Sequence, residues 1–507
     1  MANERLGSTI GVLVFGMFVA FLNQTMINVA IPHMMTELNV SATTVQWLAT
    51  GFMLANAVMI PISAFLMESI PTRVLFISAM GLFTLGSLIC AVGPSFAIIL
   101  IGRIIQAIGA GIMMPLVTNI FLRVFPPEKM GAAMGTMGIA MMFAPAVGPT
   151  FAGWVLAEHS WRVLFFLMIP LGVLEIALAM RILSNVLKLS YPRFDWPGAV
   201  FSTIGFGALL YGLSEAGSQG WGDTIVRLSI IIGILFLLFF VWRQFSIDYP
   251  LMNLSVFRFN VFSLTTIVSC VVNMAMFGAI LLLPIYIQNI RGYTALQSGL
   301  LILPGALIMG VMSPIAGALF DRVGIRPLAL IGLLITAITT YEFTRLTAET
   351  TYTHLLWLYA WRSFGMSFIM MTIMTAGLNQ LPPRLKSHGT AAANTARQVA
   401  ASFGTALLVT VMSTRTTEHL ATYANTLTLY NPTFVESVTR FQAGVAAAAG
   451  LPPEAAGAYA TSLIGGLALR EATISGINDA FVVATGITIL GLIISFFLRR
   501  PRKASSD

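Results

Sequence analysis

Apolar runs about twenty residues long follow one another along this chain from end to end, with short polar connections between them. About twenty apolar residues are what a helix needs to cross a bilayer. The runs cover residues 9–31, 44–67, 74–92, 97–121, 132–156, 161–182, 196–213, 225–245, 261–290, 298–319, 327–344, 354–378, 390–412 and 479–498, which makes fourteen. The first holds Asn23, Thr25 and Asn28 and is too long for a cleaved leader, so it reads as the first span. Residues 413–478 are too interrupted to span and read as a partly helical cap or a surface for a periplasmic or extracellular adaptor.

Composition agrees with the pattern. Hydrophobic residues make up 57% of the chain and charged residues 9%. A water-soluble fold cannot cover that much apolar surface, because even large domains leave much of their surface in water. The net charge of +8 points first towards nucleic acid, but its placement does not. With the N-terminus inside, the inner connections hold Arg73, Arg123, Lys129, Lys188, Arg193, Arg243, Arg258, Arg322, Arg326, Arg384, Lys386 and the tail Arg499, Arg500, Arg502 and Lys503. The first outer connections hold none. That asymmetry places both termini in the cytoplasm of a multi-pass plasma-membrane protein, and the basic balance reflects topology and anionic lipid rather than nucleic acid.

An internal repeat divides the chain. Pro61-Ile-Ser-Ala-Phe-Leu-Met-Glu68 is followed by Arg73, and Pro314-Ile-Ala-Gly-Ala-Leu-Phe-Asp321 by Arg326. Arg103 precedes Ile112-Met113-Met114, and Arg362 precedes Ile369-Met370-Met371. Spans 1–6 thus match spans 9–14, with two spans inserted between. Two parallel six-helix halves are the plan of a transporter with its site between them. The units are 1–183, a linker with two inserted helices at 184–260, 261–498 with the outer segment 413–478, and the basic tail 499–507.

LNQTMINVAIP (22–32), LIGRIIQAIGAGIMMP (100–115), APAVGPTFAGW (144–154), LLLPIYIQNIRGYTALQSGLLILPGAL (281–307) and NTARQVAASFGTAL (394–407) carry a resemblance. Over nearly its whole length the chain resembles the major facilitator superfamily, in its fourteen-helix drug–proton antiporter branch. The resemblance implies an all-α major facilitator fold. It also implies export of amphipathic, cationic drugs by alternating access in exchange for protons, with no cofactor. A dedicated metabolite or lipid exporter of the same fold, and a non-transporting receptor or scaffold, are the alternatives.

Several residues stand out. Arg103 is a charge in an apolar helix, which belongs beside a cavity or a partner; the resemblance gives it a part in proton coupling, and a structural hydrogen bond is the other reading. Asn23 stands where relatives carry an aspartate, and asparagine does not titrate. Another acid must then take the proton, and Glu175, Glu342 and Asp479 are the candidates; Asp479 also reads as a helix cap. Arg397 either faces the interface between halves or ties its helix to a neighbour. Asn23, Met26, Gln106, Tyr286, Asn289, Trp361 and Arg397 are candidate cavity residues. Glu68, Arg73, Asp321 and Arg326 are candidate gate charges, and Pro145, Gly148 and Pro149 a candidate pivot. No phosphate-binding glycine loop, catalytic constellation or zinc pair is present, so an enzyme and direct ATP drive are excluded.

Overall fold

The computed structural model describes residues 2–40, 42–126, 129–186, 189–190, 193–426, 432–449 and 452–498. The tail 499–507 and Lys188 lie outside them. The described residues form no strand. The helices are α1 (Ala2–Leu38), α2 (Ala42–Ser69), α3 (Thr72–Val92), α4 (Phe96–Val124), α5 (Met130–Glu158), α6 (Arg162–Ile182), α7 (Trp196–Gln219), α8 (Thr224–Ser246), α9 (Asn260–Ile285), α10 (Ala295–Val323), α11 (Ile325–Glu342), α12 (Tyr352–Ser367), α13 (Met370–Leu378), α14 (Lys386–Thr426), α15 (Pro432–Ala449) and α16 (Pro453–Ser495).

Helices cover all fourteen apolar runs. Ten of the described helices are long and apolar enough to cross a membrane. The twelfth run is broken: α12 and α13 are separate helices meeting at Phe368 and Ile369. The ninth ends in a π-helical turn, Tyr286–Ile290, just after Pro284. A proline inside a helix removes one backbone donor and pushes on the preceding turn, which favours such a local rewinding.

The repeat seen in sequence returns as packing. In the first half α3 packs on α4 and α6, α2 on α4, and α1 on α5 and α6. In the second, α11 packs on α12 and α16, α10 on α12, and α9 on α14 and α16. The halves meet where α5 lies along α10 and where α2 lies against α14. The inserted pair α7 and α8 forms a hairpin whose α7 also touches α2 and α14. Asp195 anchors that hairpin. Its carboxylate caps α7 through the Gly198 N–H and pairs with Arg243 of α8 at 2.6 Å.

The connections with Arg73, Arg123, Arg258, Arg322 and Arg384 all lie at one end of the bundle, called here the basic end. At the opposite end, α14 and α16 run on past the apolar core, and α15 packs on α16. Most of segment 413–478 is therefore helix, continuous with the spans at either side. The reason is local: residues 453–478 hold six alanines and no proline after Pro453, so nothing breaks the helix ahead of the span beginning near Asp479.

Candidate functional site

Arg103 occupies the middle of α4 and is completely buried. Its Nε donates to the Leu48 carbonyl of α2 at 3.1 Å. One terminal nitrogen donates to Asn23 Oδ1 and to Gln106 Oε1, both at 2.7 Å. Gln106 in turn donates to Ser87 at 2.7 Å, and the guanidinium lies 4.2 Å over the Phe52 ring. Arg103, Asn23 and Gln106 thus form one network joining α1, α2, α3 and α4. Every hydrogen-bond acceptor it meets among the described residues is neutral, and its Nη2 has no partner there. The spacing explains Gln106, one turn after Arg103 on the same face. The repeat places Arg362 of α12 similarly: it is buried, 3.4 Å from Thr340 Oγ1 and 3.5 Å from the Ala275 carbonyl of α9.

Glu175 of α6 is also completely buried. Neither carboxyl oxygen has a hydrogen-bond partner among the described residues. The carboxyl lies against Gly16 of α1, close to Phe76 and Met113, and a Cβ at Gly16 would come within 3.1 Å of Glu175 Oε1. Glycine at position 16 is what makes room for it. The carboxyl thus sits among apolar side chains with no group beside it, among the described residues, to share a charge, an arrangement costly unless something else meets it.

The basic end is closed by bonds between the halves. Asp321 at the end of α10 accepts from the backbone N–H groups of Gly131 (3.0 Å) and Ala132 (3.3 Å), at the start of α5. A carboxylate there meets unpaired donors and the positive end of a helix dipole. Glu68 at the end of α2 meets His388 Nε2 of α14 at 3.2 Å and accepts from Ser190 at 3.2 Å. Asn119 of α4 donates to Ser387 at 2.7 Å. Arg123 donates to the Pro383 carbonyl and Lys386 to the Leu122 carbonyl, both at 3.3 Å. Burial, and next the nearby Arg123, hold the Lys386 ammonium below the usual lysine range. Glu68, Arg123, Ser190, Arg384 and His388 border a cavity of about 600 Å³.

The acid and the arginine of each repeat do not pair with one another. Arg73 donates to the Met180 carbonyl, and Arg326 is exposed. Each acid instead reaches across to the other half. His388, Asn119 and Ser387 are not singled out by the sequence, which carries no signal for contacts between the halves.

Below the closure, α5 and α10 touch through backbone. A Cβ at Gly131 would sit 2.2 Å from the Gly317 carbonyl, and one at Gly317 1.9 Å from the Gly131 carbonyl. At Gly148 a Cβ would strike the Thr25 hydroxyl of α1 at 2.2 Å. Small residues allow this approach. Pro149 is half-buried on the same helix. Pro145 also lies on α5, but its side chain is outside those described.

The remaining candidates are scattered. Met26 is buried in α1. Tyr286 is buried at the opposite end, its hydroxyl donating to the Thr347 carbonyl at 2.6 Å, while Asn289 beyond it is exposed. Trp361 is expected in the cavity but lies 55% exposed on the outer surface. One residue on a helix turns about 100°, so burying Arg362 turns its neighbour outward. Glu342 borders a surface hollow with Arg345, Glu349 and His354. Asp479 is also at the surface, 2.9 Å from His419 Nε2 and 3.8 Å from Arg415. It is no cap, since α16 begins at Pro453. Arg397 is buried in α14 and donates to Asn394.

Comparison with known proteins agrees with this architecture. The model of the Major Facilitator Superfamily matches residues 13–405. The uncharacterized MFS-type transporter YhcA of Bacillus subtilis is 48% identical, covering 97% of this chain and 92% of its own. The lincomycin resistance protein LmrB of Listeria monocytogenes is 35% identical, over 96% and 95% of the two chains. The solved structure of the proton:xylose symporter XylE superposes with a TM-score of 0.62 at 12% identity, covering 99% of this chain and 97% of that one. A repeated six-helix packing, buried arginines at matching places and a family match over most of the length lead to one conclusion: the chain is a multi-pass membrane transporter, not an enzyme, and belongs to the Major Facilitator Superfamily.

Proposed function

We propose that this transporter exports amphipathic drug-like molecules by alternating access, driven by protons moving inward. The observation that carries the reading is the closure of the basic end by Asp321, Glu68, Asn119, Arg123 and Lys386, all across the boundary between halves. These bonds must break for that end to open, so they define two states that a substrate and a proton can bias. In this reading fourteen spans cross the membrane, both termini are cytoplasmic, and the basic end faces the cytoplasm. The relative named for lincomycin resistance makes lincomycin the first compound to test. The helical segment 413–478 is the surface offered to an adaptor outside.

Glu175 is proposed as the proton carrier. Among the described residues Glu175 and Asp195 are the buried acids, and Asp195 is paired with Arg243. Glu342 and Asp479 sit at the surface. Arg103 lies in the same half as Glu175, on α4, and is assigned a part in the coupling as a buried charge with no acidic partner among the described residues. In everted vesicles, Glu175→Gln should abolish export driven by a pH gradient while downhill exchange of drug persists. Gradient-driven export by the Gln variant at the parental rate would remove Glu175 from this role.

A further inference from the structure

The seam between α9 and α14 holds more hydrogen-bonding groups than packing requires. α9 buries Thr266, Ser269 and Asn273, which the helical repeat places along one face. α14 buries Asn394, Thr395 and Arg397. The two helices pack together, and Arg397 lies within electrostatic range of the Cys270 thiol of α9. Arg397 donates to Asn394 Oδ1, and Asn273 spends its amide on the Ser269 carbonyl of its own helix at 2.7 Å. That leaves Arg397 Nε and Asn394 Nδ2 without an acceptor among the described residues. Arg397 is 5% exposed and Asn394 3%. No carboxylate pairs with Arg397 among the described residues.

Two unmet donors one helical turn apart, one of them on a guanidinium, are costly inside a bundle. Well-packed apolar residues would hold the same helices together without that cost. The arrangement makes sense when something brings the missing acceptor. A guanidinium fork beside an amide N–H₂ matches an oxyanion, and a singly charged oxyanion would also balance the buried charge. The place is suitable for cargo. α14 packs on α2 and α4 of the other half as well as on α9, so the seam borders the boundary that opens and closes. One methionine, Met274 of α9, stands beside α14 about two turns further along, where a Cβ at Gly404 would come within 2.5 Å of its backbone. Such side chains adapt to varied apolar bodies.

We propose that Arg397 and Asn394 form a subsite for the anionic group, a carboxylate, sulfonate or phosphate, of an otherwise apolar transported molecule. This rests on the exporter reading above and departs from the cationic cargo that the family resemblance implies. An inorganic anion such as chloride offers the same charge, and the test separates the two.

The purified full chain in nanodiscs is titrated with 1-pyrenebutyrate and, separately, with its methyl ester, following thermal stabilisation. Each titration is run at low and at high sodium chloride. The parent should hold the acid about tenfold more tightly than the ester, a difference of about 1.4 kcal/mol. Arg397→Gln should bring the acid down to the affinity of the ester, and Asn394→Ala should lower it about threefold. If Arg397→Gln does not fold, an acid preference about threefold smaller in Asn394→Ala than in the parent is the deciding result. Equal affinity for acid and ester in the parent overturns the proposal, as does an unchanged preference in the folded variants. Stabilisation by chloride with none by 1-pyrenebutyrate assigns the subsite to an inorganic ion and overturns the cargo role. Binding needs no proton gradient, so failure of proton coupling leaves this result standing, and the reverse holds too.

Discussion

Replacing Asp321 by asparagine removes the charge that fastens α10 to α5 while changing little else. The carboxylate accepts two backbone N–H bonds, at 3.0 Å from Gly131 and 3.3 Å from Ala132, at the first turn of α5. A hydrogen bond to a charged group contributes about 1.5–3 kcal/mol when buried. The favourable charge at a helix N-terminus is worth about 0.3–2 kcal/mol. These overlap, the site is part-buried, and asparagine keeps one acceptor. The net loss should be about 1.4 kcal/mol, or about tenfold in the ratio of closed to open basic end. The assay is maleimide labelling of Ser387→Cys in a background without Cys90 and Cys270, in everted vesicles. Ser387 is buried under the closure. Both proteins carry the reporter, so its own effect cancels. Labelling should be about tenfold faster with Asp321→Asn. Equal labelling at equal expression would show that the Asp321 bonds do not hold this end shut.

Gly317→Ala should fold and reach the membrane but transport at under about a tenth of the parental rate, because its Cβ would lie 1.9 Å from the Gly131 carbonyl and keep α5 and α10 apart; parental transport would refute the close approach. Glu68→Gln should speed Ser387→Cys labelling only about two- to threefold, since its bond to His388 is partly exposed and glutamine preserves it in part. Arg103→Ala should abolish drug-driven proton movement, and Arg103→Lys should recover little of it, because lysine cannot reach Leu48, Asn23 and Gln106 as a planar fork does; proton flux with a pH-sensitive dye decides. Glu342→Gln and Asp479→Asn, both at the surface, should keep gradient-driven export within about twofold of the parent; a complete loss in either would move the proton carrier away from Glu175.

The helices, the repeat and the buried arginines were legible because their signals are local or periodic. A run of twenty apolar residues, or an arginine inside one, is visible without knowing any neighbour. The partners were not legible. Asp321 and Glu68 look in sequence like mates of Arg326 and Arg73, five residues on in each case. In the fold each acid reaches the other half instead, to α5 and α14, because the intervening turn aims its own arginine elsewhere. Trp361 illustrates another limit. Aromatic residues suit a cavity and a lipid-facing surface equally, and only the burial of Arg362 beside it fixes the direction. Asp479 looks in sequence like a helix start because apolar residues begin there, whereas α16 has already run from Pro453 through a stretch with no further proline to break it. Glu175 was one acid among several, and what sets it apart, burial with no partner among the described residues, is a property of packing.

The most direct test of proton-driven export is the pH inside proteoliposomes holding the purified chain. An acid-inside gradient is set with the basic end facing outward, and lincomycin or a carboxylate-bearing amphipath is added outside. Proton-coupled exchange makes the lumen turn alkaline on addition, in proportion to the substrate taken up, and Glu175→Gln leaves the lumen acid. Uptake of substrate with no change in luminal pH would contradict proton coupling.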